Sequence, residues 1–242
     1  AWPAATSAAK ARQLQQLAID YRATLLGTGI NPGFVLDLLI IALSGVCSDI
    51  ESISATRIND LSPYGPSALA SQGVGLSPVA FHRGLREGPV VGLFGFAECI
   101  RLSAAATGWG IERIEETREP ILAKVRRQTP FASVDPGQVA GCRHTAVAYR
   151  ENKPVITLIH PQKVLPHTEG IETGDRIEIR GTPDINLAGS PEIPGGHGTV
   201  ALAVNMIPRV LNAAPGLYSM ADLPVPSAML GDVRQLITLE AR

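Results

Sequence analysis

The spacing of apolar residues changes character several times along the chain, and each change marks an element. Behind Ser7, a side chain suited to cap a helix, Leu14, Leu17, Ala18 and Tyr21 recur at helical spacing and predict a helix over 7–21. The short apolar run Ala23-Thr24-Leu25-Leu26, closed by Gly27, predicts one buried strand. From Val35 to Leu43 nearly every position is apolar, which predicts a helix buried on all sides, with Asn31-Pro32 at its approach. The stretch Phe34 to Val46 is shorter than the ~20 residues a bilayer span needs, so it reads as a core helix and not a membrane anchor. Residues 50–60 then alternate as a strand, with Ile53, Ala55 and Arg57 on one face and Ser54, Thr56 and Ile58 on the other. Residues 62–92 are rich in Gly, Pro and Ser and predict a long loop with one short helix near Pro78 to Leu85. Leu93 to Thr107 reads as another apolar helix, ended by Gly108.

Beyond Ile111 the period becomes that of strands: 111–119, 138–150, 154–160 and 175–181, with Glu151-Asn152-Lys153 as a hairpin turn. Hairpin-linked strands imply a mixed or antiparallel sheet in an α+β domain. Gly195-Gly196-His197-Gly198-Thr199 leads into a helix over 199–212 with Val200, Ala203, Val204, Ile207 and Leu211 as its apolar stripe. Pro215, Pro224 and Pro226 stiffen the tail. A helix followed by a single buried strand is one step of an α/β sheet and cannot be stable alone. The expectation is therefore that this helix and strand belong to an α/β sheet whose neighbouring strands lie outside this sequence.

Composition narrows the function classes. With 21 basic and 22 acidic residues the net charge is −1, and no basic stripe exists to displace counterions from a nucleic acid. Cys47, Cys99 and Cys142 are widely separated, which fits small buried apolar groups in a reducing compartment and no local zinc site. No charged segment precedes an apolar one at the N-terminus, so a cytoplasmic location is expected.

Few residues offer chemistry. Gly27-Thr28-Gly29-Ile30-Asn31-Pro32-Gly33 invites comparison with the dinucleotide fingerprint, but the third glycine should fall at Pro32. The segment still leaves the end of a strand, where open α/β sheets place ligands; otherwise it is a turn with an Asn cap. Arg57 shares a strand face with Ile53 and Ala55; it is either an exposed strand end or, if buried, needs an anionic partner, a substrate carboxylate or a structural Asp or Glu. His160 closes the Ile156-Leu158 face and is either a site residue or a hydrogen-bonded core histidine. His197 sits among glycines at a helix N-terminus suited to an anion, or in a flexible turn, and Thr199 either caps that helix or touches a ligand. Glu112, Glu115, Glu116 and Glu119, near Arg113 and Arg118, read as a solvated strand edge. No Ser-His-Asp order, HExxH or Walker A loop is present.

The segment from Gly27 to Asp37 resembles the one joining the two domains of 2,4-diaminopentanoate dehydrogenases and related native amine dehydrogenases. Three more stretches agree in order: Gly108-Trp109 leading to Ile114-Glu115-Glu116-Thr117, Val204 to Leu211, and Pro215-Gly216-Leu217 to Met220 through Pro226. The resemblance implies a fold related to dihydrodipicolinate reductases: an N-terminal Rossmann domain, a C-terminal α+β domain with an open mixed sheet and packed helices, and a homodimer formed through that sheet. It implies reversible oxidative deamination with NAD(P), in which an amine loses hydride and the imine is hydrolysed to a ketone and ammonia. Residues 1–33 would be the last helix and strand of the Rossmann domain, and the acid that assists proton transfer would belong to the part outside this sequence. Asn31, with Pro32 and Gly33, would lie on the cofactor side, and Phe34 near the reacting carbon, unless it is a core aromatic. Arg57, His160, His197 and Thr199 are the candidates for holding the substrate's polar end. Two alternatives stand beside this reading: an imine reductase of the dihydrodipicolinate type, and a non-catalytic oligomerisation or binding subunit.

Overall fold

The computed structural model describes residues 7–238. In chain order its elements begin with helix α1 (Ala8–Asp20), strand β1 (Thr24–Leu26), α2 (Leu38–Ser44), β2 (Asp49–Asp60), α3 (Pro66–Ser71), α4 (Pro78–Glu87) and α5 (Phe96–Ala106). Strands β3 (Arg113–Leu122), β4 (Arg127–Gln128), β5 (Ser133–Val134), β6 (Val139–Arg150), β7 (Lys153–Lys163), β8 (Gly174–Thr182) and β9 (Ile185–Gly189) follow. The chain closes with α6 (Gly195–Asn205), α7 (Ile207–Asn212) and β10 (Gly216–Tyr218). These elements form two compact units: one from Ala1–Cys47, Gly95–Ile111 and Pro194–Arg242 as far as those are described, the other from Ser48–Phe94 and Glu112–Ile193.

The second unit is built on a six-stranded mixed sheet in the order β3-β6-β7-β2-β8-β9, in which only β2 and β7 run parallel. Alternation in β2 decides its faces: Ile53, Ala55, Arg57 and Asn59 are buried, and the residues between them are half-buried. The Glu151-Asn152 turn joins β6 to β7, with both residues in the left-handed region that short hairpin turns require. The short β4–β5 pair lies outside the expected strands, and two further features differ from the sequence expectations. β9 lies in a stretch too polar and Gly-rich to show alternation, and the 62–92 loop holds two helices. Of these, α4 has Pro78 in its first turn, Ser77 capping the Ala80 N–H at 3.2 Å, and Gly88 ending it at φ 99°. Phe81 from α4 packs with Val90, Val139 and Cys142 in one core cluster.

A second cluster, Leu61, Leu69 and Val164, borders a buried charged group. Glu169 accepts from Lys163 Nζ at 2.8 Å, from the Lys124 N–H at 3.0 Å and from Arg127 Nη2. Arg127 also donates to the Val164 and Leu165 carbonyls. Burial opposes ionisation of Glu169, but the ammonium, the N–H and the guanidinium outweigh it and bring its carboxyl down to about 2.

The first unit departs from the sequence expectations more. The apolar helix spans only Leu38–Ser44 and is not buried on all sides: Leu38 and Ile40 are buried, Ile41 and Leu43 are half-buried and Ala42 is exposed. Its cap is Asp37, not Asn31, because the Asp37 carboxylate takes the Leu38 N–H at 2.7 Å. The expected helix over 199–212 begins at Gly195 and breaks into α6 and α7 ahead of Pro208, whose ring cannot continue the hydrogen-bond ladder. Its expected stripe faces outward: Val200, Val204, Ile207 and Leu211 are exposed, and the large apolar side chains buried instead are Leu202 and Met206, with Pro208. In α1, likewise, Leu14, Leu17 and Tyr21 are exposed and Ala11 and Ala18 are buried. β1 pairs in parallel with β10, a sheet of two strands. Cys47, Cys99 and Cys142 form no disulfide among the described residues, and no helix among those residues is long and apolar enough to cross a membrane.

Candidate functional site

Two constellations, one in each unit, gather the candidate residues. In the sheet unit, register places five polar residues in one row on one face of the sheet. Arg118 of β3 stands opposite His144 of β6, which stands opposite His160 of β7. Ala55 pairs with Leu158 and Asn59 with Gln162, so Arg57 of β2 lies level with His160; Asp175 of β8 is Arg57's partner on the other side. Arg57 is 1 % exposed, and its Nη1 donates to Asp175 Oδ1 at 2.8 Å and Oδ2 at 3.1 Å, while Nη2 donates to the Ile193 carbonyl. Of the two partners open to Arg57 from sequence, the structure holds the structural carboxylate. Asp175 also takes the Ile193 N–H at 2.9 Å, and burial raises its pKa despite Arg57.

His144 is fixed by two bonds that decide its tautomer. Its Nδ1 accepts the Leu93 N–H at 3.1 Å, so a neutral ring carries its proton on Nε2 and donates it to Glu116 at 2.9 Å. Burial and the charge of Arg118 lower its pKa, and burial, Arg57 and His144 push that of His160 well down. Both imidazoles are therefore neutral near pH 7. Glu116 is no solvated edge residue. Its hydrogen bond from His144 holds its carboxyl below the usual range against partial burial, and Arg118 lies 2.5 Å away. The row thus holds two balanced ion pairs and two neutral, buried rings.

Sequence reasoning singled out Arg57 and His160 but missed His144, Glu116, Arg118 and Asp175. Alternation along 138–150 places His144 between Cys142 and Ala146 on the apolar face, and that signal could have found it. Gly92 is what gives His144 room. It has φ 73°, and a Cβ there would lie 2.9 Å from His144 Nδ1. Gly92→Ala is expected to destabilise the protein by about 1–3 kcal/mol through backbone strain and overpacking, measured as a shifted urea midpoint with an unchanged slope.

The other constellation is the turn that leaves β1. Gly33 has φ 136°, and a Cβ there would meet the Gly29 carbonyl and lie 2.6 Å from its nitrogen, so the segment folds back on itself only because both residues are glycine. Four bonds hold it: Gly33 N–H to Asp37 at 2.7 Å, Leu36 N–H to Asn31 Oδ1 at 3.1 Å, Val35 N–H to the Ile30 carbonyl at 3.0 Å, and Ile30 N–H to Thr199 Oγ1 at 3.3 Å. Asp37 is buried, and this raises its pKa despite the Leu38 and Gly33 N–H groups; burial and the charge of Asp37 push the Cys99 thiol up well beyond its ordinary value. Thr199 ties α6 to this turn and is not the cap of α6, which begins four residues earlier. His197 is exposed in the first turn of α6, and Phe34 and Pro32 are half-buried. Two buried atoms of the turn, Thr28 Oγ1 and Asn31 Nδ2, have no hydrogen-bond partner among the described residues. No group of three metal-ligating side chains occurs among the described residues.

Residues 34–239 match the family described as the 2,4-diaminopentanoate dehydrogenase C-terminal domain. Across its whole length the chain is 43% identical, over 243 residues, to the 2,4-diaminopentanoate dehydrogenase of Acetoanaerobium sticklandii, and it spans 69% of that protein. It is 26% identical over 223 residues to the amine dehydrogenase of Streptomyces virginiae, covering 85% of this chain and 62% of that one. The amine dehydrogenase structure from Mycobacterium smegmatis superposes with a TM-score of 0.83 at 24% identity, covering 94% of this chain and 67% of that one, so the fold is shared.

Proposed function

Because the chain belongs to the family of the 2,4-diaminopentanoate dehydrogenase C-terminal domain, we propose that it is the substrate-side part of an NAD(P)-dependent oxidoreductase acting on a CH–NH2 group. The observation that carries this is the 43% identity to a 2,4-diaminopentanoate dehydrogenase along the entire chain. The reaction is oxidative deamination of a diamino acid or amine, or the reverse reductive amination of a ketone with ammonia.

The division into the end of a Rossmann domain at 1–33 and a substrate-binding and dimerisation domain at 34–242 draws support from the family match beginning at residue 34. The two-stranded parallel sheet of β1 and β10, with Leu25 exposed, is too small to stand as a layer and calls for further parallel strands. NAD(P) supplies the hydride acceptor or donor. Asn31, Pro32 and Gly33 would hold its nicotinamide end: Asn31 offers a buried amide donor still to be used, and the Gly29–Gly33 fold leaves backbone open to close approach. Phe34 would flank the reacting carbon. In the sheet unit Arg57 and His160 would orient the substrate, Arg57 sharing its guanidinium between Asp175 and a substrate carboxylate; in the other unit His197 and Thr199 are the candidates for ligand contact. The group that moves the proton comes from outside these residues. The outer sheet face, where Thr145, Val147, Thr157 and Ile159 are only half-buried, would serve a homodimer.

Oxidation of NADPH or NADH by the full-length protein, dependent on ammonia and on 2-amino-4-oxopentanoate or a small ketone, is the expected result. Reduction of a cyclic imine without any such turnover would favour the reductase reading. Failure to bind either nucleotide would leave a non-catalytic subunit.

A further inference from the structure

We infer that Thr28 and Asn31 together read the carboxamide of the nicotinamide, Asn31 donating to its oxygen and the Thr28 hydroxyl accepting from its amide N–H. This rests on the nucleotide dependence proposed above and adds a residue, Thr28, and a chemical group to it. Buried polar atoms are nearly always hydrogen-bonded, because leaving one unpaired forfeits its hydration without return. Here two such atoms, Thr28 Oγ1 and Asn31 Nδ2, lie three residues apart on one turn, and both are out of contact with solvent. The Asn31 amide has only one sensible orientation. Its Oδ1 takes the Leu36 N–H at 3.1 Å, which a nitrogen in that place could not do, so the unused end is a donor.

The turn is also rigid enough to hold them. The Asp37 carboxylate clasps the Gly33 and Leu38 N–H groups at 2.7 Å each, and Thr199 takes that of Ile30. It leaves the carboxyl end of β1, a strand in parallel pairing with β10, where α/β sheets place their ligands. A donor amide with a neighbouring hydroxyl complements a group that pairs a carbonyl oxygen with an N–H, which is what a primary carboxamide presents. Asn31 alone would tether that group; the second contact fixes which face of the ring is turned to the substrate.

Two variants and three ligands test this in the full-length protein. Thr28→Val keeps the shape and removes the hydroxyl. Asn31→Asp keeps the oxygen that receives Leu36 and removes the donor. Thr28→Val is expected to weaken NADH or NADPH binding about tenfold, the size of one lost hydrogen bond. It should leave unchanged the affinity for the 3-acetylpyridine dinucleotide, which lacks the amide N–H. Asn31→Asp is expected to weaken both dinucleotides by at least that factor, and neither variant should alter the affinity for ADP-ribose. Thermal unfolding separates this from a structural role: without nucleotide, Thr28→Val should melt at the wild-type temperature or above it. A Thr28→Val protein that melts lower, binds NADH as wild type does, or loses ADP-ribose equally overturns the inference while the nucleotide reading stands. Absence of nucleotide binding in the wild type overturns both.

Discussion

Replacing Glu169 by Gln is expected to lower stability by about 3–5 kcal/mol, the usual cost of removing one partner from a buried ion pair. The magnitude follows from what remains. The side chains of Arg127 and Lys163 are 0 % and 3 % exposed, and Glu169 is the carboxylate both of them contact. Glutamine keeps the shape and some hydrogen bonds but leaves two positive charges facing each other out of water. Against a total stability of roughly 5–15 kcal/mol this is a large fraction, and melting should fall by about 6–20 °C for a domain of this size. Changing Arg127, Lys163 and Glu169 together to apolar residues of similar volume should recover much of the loss, because the desolvation cost disappears with the charges. Recovery that fails even with volume preserved would show that the backbone bonds to Val164 and Leu165 matter more than the charges.

The acid limb of stability should change in the same variant. The carboxyl of Glu169 is held at about 2 in the fold, against 4.5 for an ordinary glutamate. A depressed carboxylate contributes stability that is complete above the unfolded value and is lost as pH falls toward the folded one. The wild type should therefore lose this contribution between about pH 4.5 and pH 2, as those two values set. Glu169→Gln should show a flatter profile over that window. Identical profiles would mean that other carboxylates govern acid unfolding.

The sheet was legible from sequence because alternation is a local signal. Ile53, Ala55 and Arg57 on one face of β2 follow from period two alone, and the hairpin at Glu151-Asn152 from turn chemistry. The helices of the first unit were misread because which face they bury depends on what they pack against. Val200, Val204, Ile207 and Leu211 form a sound apolar stripe, yet all four are exposed, and so are Leu14 and Leu17 of α1. The turn at 27–33 was visible as a glycine-rich strand exit, but its hydrogen bonds to Asp37 and Thr199 span 4 and 169 positions, and no periodicity encodes the second. The polar row shows the same limit. Arg57 announced that it needed an anion, and only the β2–β8 register names Asp175 as the one it has.

That pairing makes the largest prediction about ligand binding. Asp175→Asn is expected to destabilise the protein by about 3–5 kcal/mol, because the Arg57 charge, 1 % exposed, loses its carboxylate. If Arg57 also serves a substrate carboxylate, a ligand that carries one replaces what the variant lost. At a concentration of 100 times its Kd such a ligand adds about 2.7 kcal/mol, since it binds the folded state alone. Melting of Asp175→Asn should therefore rise more with 2,4-diaminopentanoate or 4-oxopentanoate than the wild type does, and no more with 2-aminobutane, which has no carboxylate to offer. A variant that melts low and is rescued by none of them would make Arg57 a purely structural cation. The sheet unit would then offer the substrate's polar end only His160, whose burial keeps it neutral and unable to match a carboxylate, and the favoured substrates would shift from diamino acids toward simple amines.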